Sequence, residues 1–95
     1  MEEYMLNEKQ QQAFANFSKT IPGSVLDKKT NYLVKTAVAI ALSCHPWMEH
    51  LFGGAEENGI TQEELGAVVA NVMVVSAGSA KNKAEKAFED VNLER

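Results

Sequence analysis

Ninety-five residues with nine basic and thirteen acidic side chains, a net charge of −4, make one domain and leave no basic face for nucleic acid. A single cysteine excludes a disulfide scaffold, and a chain 45% apolar and 23% charged is not a disordered one. The acidic start Met-Glu-Glu-Tyr is unlike a secretory leader, and the longest apolar stretch, Thr36 to Cys44, is too short for a bilayer. A cytoplasmic protein with neither a membrane nor nucleic acid as partner is expected.

Asn7 is placed to cap a first helix over Glu8–Lys19, with Phe14 and Phe17 on one face and Pro22-Gly23 as its stop. Asp27 is placed to cap a second that runs to about Cys44 and carries no charge after Lys35. A helix apolar nearly all round is a buried one. Pro46 suits the first turn of a third helix, where Met48, Leu51, Phe52 and Ala55 recur at helical spacing. Asn58-Gly59 reads as a stop with glycine in the left-handed position and Ile60 folding back on Ala55.

Thr61-Gln62-Glu63-Glu64 is a capping box, with Ile60 and Leu65 at the spacing of a hydrophobic staple. The fourth helix, Leu65 to Ala77, has no charge, and Gly78 is expected to break or kink the chain. A fifth helix places Ala80, Ala84, Ala87, Phe88 and Val91 on one stripe. Lys81, Lys83 and Lys86 interleave with Glu85, Glu89 and Asp90, as on a solvated face. The fold class is thus all-α, a single-domain bundle of about five helices over residues 1–95. Two charge-poor helices exceed what three amphipathic ones can cover, which points to a homo-oligomer with this chain as its own partner.

The segment Ser43 to His50 gathers the only cysteine, both histidines and the only tryptophan at a helix junction. A thiol near a helix start is a candidate nucleophile. The competing reading makes Cys44 a small buried residue continuing the Leu33, Ala37 and Ile40 face, as free cysteines commonly are. His45 and Glu49 are four apart and suit an ion pair, whereas no ligand pair has a zinc spacing, so neither metal nor cofactor is expected. Trp47 and Met48 read as core before cofactor platform.

Leu26-Asp27-Lys28-Lys29-Thr30-Asn31-Tyr32-Leu33, the alanine/valine helix, Cys44, Asn58-Gly59, Ile60-Thr61-Gln62-Glu63-Glu64-Leu65 and Ala77-Gly78 together resemble the carboxymuconolactone decarboxylase and alkylhydroperoxidase D superfamily. The likeness covers about residues 26–91 and leaves 1–25 as an N-terminal helix and turn. It implies an all-helical fold assembled as trimers or as hexamers built from them. Redox members carry Cys-x-x-Cys followed by histidine, with a glutamate one helix earlier. Aligned without gaps, Cys44 falls on the resolving cysteine, Trp47 on the attacking one, Tyr32 on the glutamate and Leu51 on the histidine, with His50 one residue early. The peroxidase motif is degenerate here.

Cys44 and His50 are the catalytic candidates that the resemblance leaves, and Tyr32, Trp47 and His45 the candidates for contacting a ligand. The expected function is that of a non-peroxidatic family member binding a small molecule between subunits near Cys44, Trp47 and His50. A lactone or carboxylate would suit a histidine with Lys28 and Lys29. The alternatives are a single-thiol redox protein using Cys44, and a structural or partner-binding oligomer without catalysis.

Overall fold

The computed structural model describes residues 5–23 and 25–93. The acidic N-terminus read above lies outside these residues. Among them are four helices and no strand: α1 (Glu8–Ser18), α2 (Lys28–Ala41), α3 (His45–Gly53) and α4 (Gln62–Leu93).

The helix starts follow the sequence closely. The Asn7 side chain accepts from the Gln10 amide at 2.9 Å, and Gln10 returns the bond to the Asn7 amide at 3.0 Å. Asp27 accepts from the Thr30 amide at 2.7 Å, and Thr61 and Glu64 exchange bonds of 2.9 and 3.1 Å as a full capping box. The turn before Thr61 is closed as expected. Gly59 is left-handed (φ 73°), and the Ile60 amide donates to the Ala55 carbonyl at 2.9 Å while both side chains are buried.

Two boundaries differ from expectation. α2 ends at Ala41, because Ser43 turns left-handed (φ 54°) and the Ser43 and Cys44 amides donate back to Ile40 and Ala39. Gly78 does not break α4, which continues as one helix of 32 residues. A mid-helix glycine costs only about 1 kcal/mol, too little by itself to end a helix whose flanking residues, Ala77 and Ala80 among them, favour it.

α2 and α4 run side by side in the same direction. Lys29 near the start of one pairs with Glu64 near the start of the other at 2.9 Å, and Ala37, Val38 and Ala41 share a groove with Asn71, Val72 and Val75. The buried residues Thr36, Ala39, Leu51, Ala55, Ile60 and Val68 come from α2, α3, the turn and α4. Thr36, fully buried, satisfies its hydroxyl on the Tyr32 carbonyl at 2.8 Å. Beyond Ser79, α4 outruns α2 and its described side chains are exposed. The chain consequently has a radius of gyration of 18.7 Å, against about 12 Å for a compact domain of its length.

Candidate functional site

The link between α2 and α3 sets the site. Cys44, Ser43 and Leu42 form the hairpin-like reversal, with Cys44 as the residue before α3 and Pro46 in its first turn. The Cys44 side chain makes no capping bond, so its thiol is half-buried at the junction and uncommitted to the helix end. On α3, Trp47 and His50 project from the same side, and their rings meet edge to face with centroids 5.7 Å apart.

A cleft of about 410 Å³ opens beside this pair. Lys28, Tyr32 and Lys35 reach it from α2, Trp47 and His50 from α3, and Asn58 from the closing turn. The Tyr32 hydroxyl donates to the Leu51 carbonyl and so clamps α2 to α3. Gly54 lies against that hydroxyl, where a Cβ would come within 3.1 Å of it. Burial first, and the negative charge of Glu57 second, push the Tyr32 phenol above its ordinary range, which keeps it a neutral donor. Asn31 donates to the Ile21 and Leu26 carbonyls, each at 3.2 Å, and holds the Pro22-Gly23 link as the cleft's rim.

The sequence candidates divide between two cavities. Tyr32, Trp47 and His50 share the cleft. Cys44 instead lines an apolar groove of about 360 Å³ between α1 and α2, with Phe14, Phe17, Val38 and Leu42. Trp47 and Lys35 border both cavities, so the thiol and the imidazole line different cavities that share the indole. His45 lines neither. It is exposed and pairs with Glu49 at 3.0 Å. Of the two lysines expected to serve a ligand, Lys28 reaches the cleft and Lys29 turns to Glu64.

Lys35, Asn31 and Asn58 were not singled out by their sequence context, although one signal was there. Lys28, Asn31, Tyr32 and Lys35 recur at i, i+3, i+4 and i+7, which makes a polar stripe on an otherwise apolar helix. Neither Lys28 nor Lys35 has a carboxylate partner among the described residues. Also among those residues, no three His, Cys, Asp or Glu side chains are grouped to hold a metal ion.

A helical protein with a cationic, indole-walled cleft at a helix junction is the class that these features define. The model of the carboxymuconolactone decarboxylase family matches residues 9–90, and the chain belongs to that family. No match to the chain is found among curated proteins or among solved structures.

Proposed function

We propose that this chain is a non-peroxidatic member of its family that binds a small carboxylate-bearing molecule in the cleft of Tyr32, Trp47 and His50. The observation that carries this reading is the pair of ammonium groups, Lys28 and Lys35, on the rim of a cleft walled by an indole, neither with a carboxylate partner among the described residues. Two cations at one cleft favour an anion between them. The Trp47 face offers an apolar ligand body a place to pack, and His50 is the imidazole within the cleft able to donate or accept a proton there. The placement of Cys44 and His50 on different cavities weighs against a thiol–imidazole relay, and with it against the single-thiol redox alternative.

Trp47 is the only tryptophan, so its fluorescence reports on the cleft directly. Titration with benzoate, adipate and muconate should change its emission saturably for at least one of them. Lys28→Gln and Lys35→Gln should weaken that binding severalfold each, and His50→Ala should weaken it or alter its pH profile. Emission that stays unchanged with all three acids, or binding indifferent to both lysines, would sink the carboxylate reading.

A further inference from the structure

The accessible surface of the chain is 8039 Å², whereas a compact monomer of this mass exposes about 5,400 Å². The surplus is of the size that obligate partners bury between them. Two apolar features are left open to solvent, and they are complementary. One is the groove between α1 and α2, where Phe17 is 62%, Leu42 73% and Trp47 52% exposed, with Phe14, Val34 and Val38 also open to solvent. Large apolar side chains left open together along one groove mark an interaction site, where scattered single ones would not. The other is the overhanging half of α4, an amphipathic helix whose stripe of Ala84, Ala87, Phe88 and Val91 is exposed and packs on no other helix among the described residues, with Phe88 71% exposed.

We propose that the groove between α1 and α2 is the seat of the C-terminal half of α4 from a second copy of this chain. The groove needs a helical apolar ridge, and the overhang is one, in equal number to the grooves. The segment past Ser79 spans about 20 Å, close to the length of α2 itself, and its alanines let the helix lie deep while Phe88 fills the space beside Phe17 and Leu42. Each copy offers one helix and one groove, so a pair or a ring closes with every overhang seated. The contact is independent of what the cleft binds. It does complete the site's surroundings, because Trp47 borders both cavities and would have a second copy's helix behind it.

The test compares wild type, Phe88→Asp, Phe88→Ala and Phe17→Asp by sedimentation over a concentration series, with Trp47 emission recorded on the same samples. Wild type should be oligomeric with a blue-shifted indole. All three variants should raise the dissociation constant about 30-fold or more, the size of a hot-spot loss, and shift the emission to the red. Phe88→Ala adds no charge and favours helix, so unchanged far-ultraviolet circular dichroism with lost mass identifies a broken contact. A monomeric wild type overturns the proposal, as do Phe88 variants of wild-type mass. Loss of mass with unaltered Trp47 emission also overturns it, since the overhang would then be seated elsewhere. Phe17→Asp dissociating the protein while the Phe88 variants do not would assign the groove to a different surface of the second copy.

Discussion

Ser43 sits at φ 54°, in the region that costs a side chain about 1 kcal/mol and costs glycine little. It is the residue that lets the Cys44 amide reach Ala39 and aims α3 back across α2. Ser43→Gly should therefore raise stability by about 0.5–1 kcal/mol in denaturant melts with the cleft unchanged, and a loss of stability would mean that the serine makes the turn in some other way. The reversal was not legible in the sequence, since serine announces a cap more readily than a left-handed stop, and the second helix was accordingly carried on to Cys44. Cys44 itself lines a different cavity from His50, with no second thiol in the chain. A lone thiol oxidised to sulfenic acid has no internal partner to close a catalytic cycle. Peroxide consumption with excess dithiol should be the same for wild type and Cys44→Ser. A rate that depends on the cysteine would revive the single-thiol redox reading.

Among the elements, α4 has the most fully determined start. Thr61 caps it, and the Glu64 carboxylate both returns the cap and pairs with Lys29 across to α2. The Thr61 amide, then the Lys29 ammonium, hold the Glu64 carboxyl below its usual range, and the Thr30 amide does the same for Asp27 at the start of α2. A carboxyl depressed in the folded state stabilises above its unfolded pKa, near 4, and that contribution is lost as pH falls through the folded value. Thermal melts should thus show stability dropping as pH is lowered through and below about 4, with a shallower drop in Glu64→Gln. Identical acid limbs would show the bond to be inconsequential. Thr61→Ala should cost about 1 kcal/mol near neutral pH. The local chemistry of this helix start was legible because every partner lies within three residues. The Lys29 link was not, because it depends on how two distant helices align. The continuity of α4 through Gly78 was missed for a different reason, since Gly78-Ser79 reads as a stop and a new cap, whereas a lone glycine costs a long helix only about 1 kcal/mol.

For the molecule as a whole, the charge-free run of α4 was read as a surface wanting cover, and in the single chain Met73, Val74 and Val75 remain exposed. The cleft was half legible. Tyr32, Trp47 and His50 meet as a group, while Cys44 lines the neighbouring groove, on the far end of a reversal at Ser43 that was not foreseen. The same-direction alignment of α2 and α4 also bears on how the chain finds its fold. An antiparallel neighbour is reached by a short reversal, but Lys29 and Glu64 are separated by α2 itself, α3 and two turns, and their meeting closes a long loop. Pairing of α2 with α4 must wait until that intervening chain has doubled back, which it does through the Tyr32–Leu51 bond and through local turn bonds, among them the left-handed Gly59 closing Ala55 to Ile60. Gly59→Ala strains that closure and should slow refolding more than it speeds unfolding in stopped-flow denaturant jumps. If the substitution acted only on the unfolding rate, the turn would form after the helices meet. The expected order makes the short turn the clock of the fold: the slow search ends when a reversal of six residues, Ala55 to Ile60, delivers the start of α4 to the start of α2.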